Sequence, residues 1–547
     1  MHARSALRSA LRSDVMAGMP EGVMAGIMRG ALAGMLALGW AAAAPATAQA
    51  THPGLQACRL AGVATPALCG QVARPLDPAR PQGVQITVHY AVLPALARRK
   101  AADPVFLLAG GPGQSAISLA GVFNGRFGRL GQRRDLVLVD LRGTGLSAPL
   151  RCDDDAAAAR ARPLAEWLDA DARAQRLRAC RLALQALPHG DLRHYSTDHA
   201  AADLDAVRQA LGAAQINLLG LSYGTRVALA YQRLHPGAVR RMVLDGVAPP
   251  DLRLPEAAAQ DLQAALDALF QACTADPACH RRHPDPAGRL QGLLAQVPLH
   301  LTVPHPLHGR PEPLTLDRDT LLGLLRAPLY QPAQAAALPA LLDEAAAGRW
   351  APLLALSSPL GAPVALAVAT GLHHAVVCSE DLAADLPDKP EAAAATAVAR
   401  PGAQPPPATV FGDTMRRQYQ QACAGWPRAA LAADFRRVPV SAAPVWLLSG
   451  GLDPVTPPRH ADRAAQALGP LAWHTVVPGA GHGVSALGCI ADAAVRFIAS
   501  DTPPAGPPAN ADCARRVPRP PAWQPPGLAP PGLAPTSVAP PRLEPPR

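Results

Sequence analysis

The sequence predicts an α/β fold built on a mostly parallel central sheet, and two observations carry this prediction. Short, unbroken apolar runs recur along the chain, at Val105 to Ala109, Leu136 to Val139, Ile216 to Leu219, Met242 to Leu244 and Val445 to Leu448. Such runs are typical of strands that are buried on both faces. Helical stretches lie between them, for example Thr197 to Leu211 and Thr225 to Leu234. Strands that alternate with helices indicate an open α/β sheet rather than a sandwich.

The composition excludes two classes of protein. The 547 residues are 49% hydrophobic, which is too apolar for a disordered protein. The formal net charge is +10, yet only Lys100 and Lys389 are lysines, and the arginines are scattered among acidic residues. We therefore expect no nucleic-acid partner, because nucleic-acid surfaces gather their basic residues into runs or patches.

Residues 1–48 are predicted to be a signal peptide. Four arginines precede an apolar stretch of 14 residues, Ala31 to Ala44, and the cleavage-site pattern Ala46-Thr47-Ala48 follows it. A helix that crosses a bilayer needs about 20 apolar residues, so a membrane anchor is not favoured. We expect an exported protein, periplasmic or extracellular, that is cleaved after Ala48 or Ala50 and has no membrane contact afterwards.

The cysteines are even in number, which favours disulfides in an exported chain. Pairing them in order along the chain keeps each closed loop within one segment, and gives the hypothesis 58 with 69, 152 with 180, 273 with 279, 378 with 423 and 489 with 513. No two pairs have the C-x2-C spacing of a zinc site.

The order of the elements divides the mature chain into a core, a cap and a tail. Residues 49–247 and 441–501 carry the strand runs and are predicted to be the two parts of one α/β core. Residues 248–440 are rich in Ala and Leu and lack repeated strand runs, so they are predicted to form an inserted helical cap. Residues 502–547 hold 16 prolines and are predicted to be an extended, flexible tail.

The motif Gly220-Leu221-Ser222-Tyr223-Gly224 predicts a nucleophile. It follows the apolar run that ends at Leu219 and begins a helical stretch at Thr225. G-x-S-x-G between a strand and a helix is the nucleophile elbow, in which a strained turn exposes the serine hydroxyl. An ordinary Gly-rich turn is the alternative interpretation.

A serine nucleophile needs a base, and the base needs an acid that orients it. After an elbow of this type the acid and then the histidine follow along the chain. Asp453 lies in a Gly/Pro loop after the last apolar run, and His482 lies in the later loop Gly479-Ala480-Gly481-His482-Gly483. They are therefore predicted to be the acid and the base. The rivals are weaker, since Asp245 is expected to cap or pair locally, and His199 and His235 lie on the first helices.

Acyl transfer also needs hydrogen-bond donors for the developing oxyanion. The loop Gly110-Gly111-Pro112-Gly113 follows the strand run that ends at Ala109. The backbone N–H groups of Gly111 and Tyr223 are predicted to form the oxyanion hole. A phosphate-binding loop is the alternative, but the P-loop ending and the third glycine of a dinucleotide fingerprint are both missing.

With these motifs the chain resembles the α/β-hydrolase superfamily and, within it, the exported tripeptidyl aminopeptidases and proline iminopeptidases, which are serine peptidases. Besides the elbow, the resemblance rests on Gly110-Gly111-Pro112-Gly113, Asp140-Leu141-Arg142-Gly143-Thr144-Gly145-Leu146-Ser147, Cys378-Ser379-Glu380 and Cys423-Ala424-Gly425-Trp426-Pro427. It implies an α/β-hydrolase fold with helices on both faces of the sheet and an inserted helical cap. It also implies a structural role for Asp140 and Arg142. Ala109 stands where iminopeptidases usually carry a histidine, which favours the tripeptidyl branch.

The resemblance implies an aminopeptidase that acts on peptides with a free N-terminus. In such enzymes the cap supplies carboxylates that hold the amino group of the substrate, and Glu380 and Asp381 are the candidates here. A solvated acidic turn or a helix start explains these two residues equally well. A carboxylesterase with the same three catalytic residues, and a non-catalytic binding protein on the same scaffold, remain alternative functions.

No metal and no organic cofactor is expected. His300, His305 and His308 form a loose cluster among prolines, but no acid or cysteine is seen to complete it. His373 and His374 lie on an apolar stretch and are expected to pack against the cap rather than to act in catalysis.

Overall fold

The structure is a computed structural model that describes residues 54–152, 162–357, 367–382, 409–502, 506 and 511–523. The predicted signal peptide, residues 1–48, lies outside the described residues. None of the described helices combines the length and the apolar character that a membrane span requires.

A sheet of nine strands lies at the centre of the described chain. In chain order the strands are β1 (Gln56–Cys58), β2 (Ala67–Pro75), β3 (Gln85–Leu93), β4 (Val105–Leu108), β5 (Leu136–Val139), β6 (Ile216–Leu221), β7 (Val239–Asp245), β10 (Val445–Gly450) and β11 (Ala472–Val477). Their spatial order is β1-β2-β3-β5-β4-β6-β7-β10-β11. The pairs from β5 to β11 are parallel, and the pairs from β1 to β5 are antiparallel. The α/β-hydrolase fold predicted from the sequence is confirmed.

The unbroken apolar runs are explained by burial on both faces of the sheet. Along β10, Val445 and Leu447 belong to the core cluster on one face, whereas Trp446 and Leu448 belong to the cluster on the other. A strand whose side chains point alternately into two cores has no polar face, so its sequence shows no alternation.

Helices connect these strands and build the cap. The described α-helices are Ala120–Phe127, Leu164–Leu168, Ala170–Gln185, Thr197–Ala210, Tyr223–Leu234, Leu254–Ala275, Pro277–Arg282, Pro286–Gln296, Arg318–Leu329, Pro332–Ala335, Leu338–Ala346, Ala351–Ser357, Thr370–Glu380, Thr414–Cys423, Pro458–Leu468 and Gly488–Ala499. Short 3-10 helices occupy Gly128–Gln132, Leu192–His194, Pro236–Ala238 and Ala511–Arg516.

The chain leaves the sheet after β7 and returns to its neighbour β10, as an insertion between these strands predicts. The excursion is not helical throughout, because β8 (Leu299–Pro304) and β9 (Pro311–Leu316) form an antiparallel hairpin. Along β9, Leu314 and Leu316 are buried while Thr315 between them is exposed. The cap, predicted to be mostly helical, thus contains a hairpin whose alternation extends over only a few residues.

The cap has its own apolar core, and its membership differs from the predicted boundaries. Leu164, from the part assigned to the α/β core, packs in the cap cluster, and its backbone N–H donates to the Glu312 carboxylate at 2.8 Å. In the opposite direction, Leu372 and Val376 of the helix Thr370–Glu380 pack in a cluster of the central sheet. The chain therefore crosses between core and cap more often than one insertion implies.

The five predicted disulfides are all present in the structure, joining the cysteines in the order of the chain. The bond between Cys489 and Cys513 corrects the prediction of a flexible tail that begins at residue 502. Cys513 and Ala514 are buried in the core, and the Trp523 N–H donates to the Ala336 carbonyl at 3.0 Å. The remainder of the predicted tail, from residue 524, lies outside the described residues.

Candidate active site

Ser222 stands at a strained turn between β6 and the helix Tyr223–Leu234. Its backbone φ is +55°, in a region that residues other than glycine rarely adopt. A Cβ on Gly220 would lie 2.6 Å from the Gly224 carbonyl oxygen, and a Cβ on Gly224 would lie 2.5 Å from the Leu108 carbonyl oxygen. The turn therefore requires glycine at both positions, which is the geometry of the predicted elbow.

His482 and Asp453 lie in hydrogen-bond contact. The distance from His482 Nδ1 to Asp453 Oδ2 is 2.8 Å, and the Asp453 carboxylate is buried. The second oxygen of Asp453 accepts the backbone N–H groups of Val455 and Thr456, each at 2.9 Å. The carboxylate is therefore held in one orientation, with Oδ2 toward the imidazole.

Asp245 brings the serine turn and the histidine loop to one sheet edge. Its backbone carbonyl accepts the Ser222 N–H at 2.8 Å, and its buried carboxylate accepts the N–H groups of Val484 at 2.8 Å and Ser485 at 2.7 Å. The next residue, Gly246, lies so close to the imidazole that an added Cβ would be 3.1 Å from His482 Cε1. Asp245 is thus a clamp between two loops that are far apart in the sequence, and its pairing is not local.

We expect the substitution Asp245→Ala to lower the free energy of unfolding by about 2–4 kcal/mol, because it leaves two buried N–H donors without an acceptor. Urea unfolding of the purified protein measures this change. The exposed Asp501 provides the control, Asp501→Asn, for which we expect a change within about 0.5 kcal/mol. Equal stability of Asp245→Ala and the wild type would contradict the clamp.

The charges of His482 and Asp453 shift the pKa of each other. Burial disfavours the charged imidazole, but the charge and the hydrogen bond of Asp453 outweigh burial and raise the pKa of His482 above its ordinary value. Burial likewise acts to raise the pKa of Asp453, and the charge of His482 together with the backbone donors lowers it overall. The pair therefore favours a carboxylate beside an imidazole that readily accepts a second proton.

The two predicted oxyanion donors, Gly111 and Tyr223, belong to segments that adjoin Ser222. Tyr223 is the first residue of its helix, where backbone N–H groups have no partner within the helix. A Cβ on Gly110 would lie 3.1 Å from Ser222 Cβ, so the loop that contains Gly111 packs directly against the nucleophile. Gly111 has φ +112°, which only glycine adopts without strain.

Asp140 anchors the chain next to this glycine loop, and Arg142 makes buried contacts elsewhere in the core. The Asp140 carboxylate accepts the Ser115 hydroxyl at 2.6 Å and the Ile117 N–H at 3.1 Å, which anchors the chain just after the glycines. Arg142 is buried and makes two hydrogen bonds to Asp203, of 2.7 and 2.8 Å. These contacts are those of structural residues.

Glu380 and Asp381 do not lie where a substrate amino group could reach them, which corrects their interpretation as substrate-binding residues. Both are buried, and both contact the buried Arg226, at 3.3 Å and 2.8 Å respectively. Glu380 also accepts the backbone N–H and the hydroxyl of Thr197, at 2.7 and 2.8 Å. The carboxylate oxygens of Glu380 and Asp381 thus balance the charge of Arg226, which lies on the helix that follows Ser222. A buried guanidinium is stable only with such a counter-charge.

Glu380 nevertheless connects to the nucleophile turn. The Thr197 hydroxyl that it binds lies 2.9 Å from the Tyr223 hydroxyl. Burial, with the charge of Arg226 acting in the opposite direction, raises the pKa of Glu380 to about 7. The two carboxylates therefore belong to the packing beneath the elbow.

The histidine cluster in the cap gains an acid that the sequence interpretation missed. His308 Nε2 lies 3.4 Å from Glu312 Oε1, and the rings of His305 and His308 stack with centroids 3.9 Å apart. These three residues form the one described group with the composition of a metal site. However, Nδ1 of each histidine accepts a backbone N–H, from Leu307 and Arg310, so both Nε2 atoms carry protons in the neutral rings. This arrangement is that of a hydrogen-bonded turn.

The other rival histidines are occupied elsewhere. His199 bonds the Ser196 hydroxyl at 2.7 Å, and the His235 ring packs at a tilt of 44° against Tyr231, with centroids 5.1 Å apart. The ring of His373 bonds the Tyr419 hydroxyl at 2.7 Å. None of these three contacts involves Ser222.

Two residues of the site were not predicted from the sequence. Thr456 Oγ1 lies 2.7 Å from Asp453 Oδ2 and 3.1 Å from His482 Nδ1, so it bridges acid and base. A threonine three residues after an aspartate is a recurrent side-chain turn signal that could have indicated it. The second residue is Tyr330 of the cap. Its backbone carbonyl accepts the backbone N–H of His482 at 3.1 Å, and no sequence signal indicates that contact.

Two sequence families match this chain. The family described as "alpha/beta hydrolase fold" matches residues 103–298, and the family described as "TAP-like protein" matches residues 408–513. The first match contains Ser222, and the second contains Asp453 and His482.

Three curated relatives carry peptidase names. Serine protease Hip1 of Mycobacterium tuberculosis is 33% identical over 281 residues, which cover 49% of this chain and 53% of that protein. Tripeptidyl aminopeptidase of Streptomyces lividans is 35% identical over 194 residues, covering 34% of this chain and 36% of that protein. Proline iminopeptidase of Xylella fastidiosa is 36% identical over 63 residues, covering 12% and 20%. The matches span about half the length of Hip1 and less of the other two.

Proposed function

We propose that this chain, which has the α/β-hydrolase fold and matches that family's model over residues 103–298, is a serine hydrolase that uses Ser222, His482 and Asp453 as a catalytic triad. The observation that carries the proposal is the 2.8 Å contact between His482 and Asp453, at the same sheet edge as the strained turn of Ser222. A serine nucleophile needs an imidazole that a carboxylate orients, and the half-buried Ser222 lies at a turn whose N–H binds the Asp245 carbonyl, next to the histidine loop.

The proposed reaction has two halves. His482 takes the proton of the Ser222 hydroxyl as Ser222 attacks the carbonyl carbon of the substrate. The N–H groups of Gly111 and Tyr223 donate to the oxygen that becomes negative. His482 then protonates the leaving group, and a water molecule releases the acyl group by the same steps in reverse order. Asp453 stabilises the charged imidazole during both halves of the reaction, and no cofactor is required.

We propose further that the substrates are peptides with a free N-terminus and that the protein acts outside the cytoplasm. The names of the relatives support the first point, and the disulfides support the second, since such bonds persist in oxidising compartments. Glu380 and Asp381 no longer support an amino-group site, because both are buried against Arg226. That burial favours a carboxylesterase as the second candidate function, since an esterase needs no such site.

Hydrolysis of matched peptide amides with free and acetylated N-termini separates the two candidates. We expect the free peptides to be cleaved and the acetylated ones to be resistant, because an aminopeptidase requires the charged amino group. Mass spectrometry of the products reports how many residues leave in each step. Equal cleavage of blocked and free peptides, or cleavage of simple esters alone, would overturn the aminopeptidase proposal.

We expect kcat/KM to fall as the pH is lowered, with a midpoint above pH 6.5, the ordinary pKa of a histidine. The base must be neutral to accept the serine proton, and Asp453 raises the pKa of His482, so protonation removes the base at a higher pH than usual. A pH profile on one peptide substrate measures the midpoint. A midpoint clearly below 6.5 would contradict the contact between His482 and Asp453.

A further inference from the structure

A basic pocket of about 730 Å³ opens beside the helix Thr370–Glu380. Five guanidinium side chains line this arginine pocket, those of Arg151, Arg162, Arg173, Arg176 and Arg326. Within the described part of the chain, the lining contains no aspartate and no glutamate. The catalytic mechanism uses none of these arginines.

Acidic side chains surround the pocket without lining it. Glu166 lies 3.9 Å from the lining residue Arg162, Asp171 accepts the side-chain amide of the lining residue Gln421 at 3.0 Å, and Asp319 pairs with Arg417 at 3.1 Å. The described lining itself still carries more positive than negative charge, because it holds five arginines and no acidic residue. Such an excess is costly unless an anion or water compensates it.

The arginines act on each other's protonation. Burial, followed by the charges of Arg326 and Arg176, lowers the pKa of Arg173. Asp169 and Asp317 act in the opposite direction and do not cancel the shift. A guanidinium remains charged at every physiological pH, so the mutual repulsion persists and a bound anion would relieve it.

Two segments that contribute lining residues also contact loops of the candidate active site. The helix that carries the lining residue Thr370 is preceded by Ala369, whose N–H donates to the Gly113 carbonyl of the glycine loop at 2.9 Å. Arg326 lies one helical turn before Tyr330, whose backbone carbonyl accepts the backbone N–H of His482 at 3.1 Å. The arginine pocket is thus connected through two short chain segments to the loops that carry Gly111 and His482.

We propose that the arginine pocket binds carboxylate groups of the substrate and makes the enzyme prefer anionic peptides. Guanidinium groups bind carboxylates through paired, charge-assisted hydrogen bonds, which few other side chains match. The carboxylate comes from an acidic side chain or from a free C-terminus, and these two sources are distinguished by experiment. The inference rests on the proposed peptidase function and names the substrate class for it.

The test compares kcat/KM for peptides of one sequence that carry Glu or Gln at a single position, each with a free or an amidated C-terminus. We expect the anionic peptides to be hydrolysed about 10-fold more efficiently, since each partly exposed charge pair contributes a factor of roughly 1.5 to 5. The Glu–Gln comparison reports side-chain recognition, and the acid–amide comparison reports recognition of the C-terminus. In 0.5 M salt the preference should shrink, to about 3-fold or less.

Substitution of the arginines locates the preference. In the double variant Arg173→Gln/Arg326→Gln we expect the ratio of anionic to neutral kcat/KM to fall to about 2 or less. Arg178 lies on the same helix, Ala170–Gln185, but does not line the pocket, so Arg178→Gln is the matched control and should keep the wild-type ratio. Loss of the preference in the control, or its survival in the double variant, overturns the proposal.

The chain's own acidic run Asp153-Asp154-Asp155 lies outside the described residues, next to the lining residue Cys152. The triple change of these residues to asparagine tests whether they compete for the arginines. The proposal expects an equal or larger preference in this variant. A preference that appears only after the triple change would mean that the native pocket does not take substrate, and would overturn the proposal.

Failure of the proposed peptidase function and failure of the carboxylate site give different experimental results. If esters are cleaved and peptides are not, the peptidase proposal fails. The pocket is then tested by comparing kcat/KM for a monoester of a dicarboxylic acid, which keeps one free carboxylate, with kcat/KM for a neutral ester of the same size. Binding of Glu and Gln peptides to the Ser222→Ala protein, measured by calorimetry, gives a readout without turnover. Equal affinities for the two peptides would remove the carboxylate site, whatever reaction the enzyme catalyses.

Discussion

Replacement of Ser222 by alanine is expected to lower kcat by at least about 10⁴-fold while the protein stays folded. The hydroxyl forms the acyl-enzyme, and neither the oxyanion donors nor His482 can replace that covalent step. The methyl group of alanine fits a turn that already carries a Cβ, so we expect the free energy of unfolding to change by less than about 1 kcal/mol. Hydrolysis of a free-N-terminus peptide and urea unfolding of the same sample measure the two quantities.

The exposed Ser118 supplies the control for this prediction. Ser118→Ala removes a serine hydroxyl near the glycine loop without touching the triad, and should keep full activity. Turnover of Ser222→Ala within tenfold of the wild type would show that another group is the nucleophile.

The second large effect is expected for Asp453→Asn, which should lower kcat by about 10⁴-fold at neutral pH. The amide keeps the shape of the side chain, but its NH₂ can point at His482 Nδ1 and favour the tautomer that cannot accept the serine proton. The loss of the charge should also move the acidic limb of the pH profile to lower pH, because Asp453 raises the pKa of His482. Rates measured across the pH range report both changes.

Asp501→Asn serves again as the control, since Asp501 is exposed and its nearby partner is Arg134, which is no part of the proposed triad. It should leave the rate and the pH midpoint unchanged. An unaltered pH midpoint in Asp453→Asn would be incompatible with a 2.8 Å contact that holds the imidazole.

Much of the fold could be predicted from the sequence because the strands of the central sheet are buried on both faces. Runs such as Leu136–Val139 and Val445–Gly450 have no polar face, and few structures other than a covered parallel sheet use them. The contact between Asp453 and His482 could be predicted for a related reason, since each of them stands in a Gly-rich loop at a strand end, where parallel strands collect their functional residues.

The sequence-based predictions that are wrong concern residues whose contacts join distant parts of the chain. A carboxylate such as Glu380 has the same local sequence whether it faces solvent or a buried Arg226, so only the packing of two helices decides its role. The residues 511–523 are rich in proline, yet the disulfide at Cys513 and the contact of Trp523 with Ala336 hold them on the core and the cap. The composition of a segment predicts its conformation in isolation. In this protein, contacts with distant parts of the chain determine the conformation of these segments instead.

Asp245 illustrates the same limit inside the active site. Its position at the end of a strand suggested a local cap, whereas its carboxylate binds backbone groups 239 and 240 residues further along the chain. Such a clamp depends on the register of β7 against β10 and on the course of the loop after β11, and neither is encoded near Asp245 itself.

Covalent labelling with a serine-reactive phosphonate tests most directly whether Ser222 is activated by His482. We expect intact-protein mass spectrometry to show one adduct per chain, peptide mapping to place it on Ser222, and His482→Ala to slow the labelling by at least about 10²-fold. An adduct on a different serine, or equal labelling rates with and without His482, would contradict the central claim.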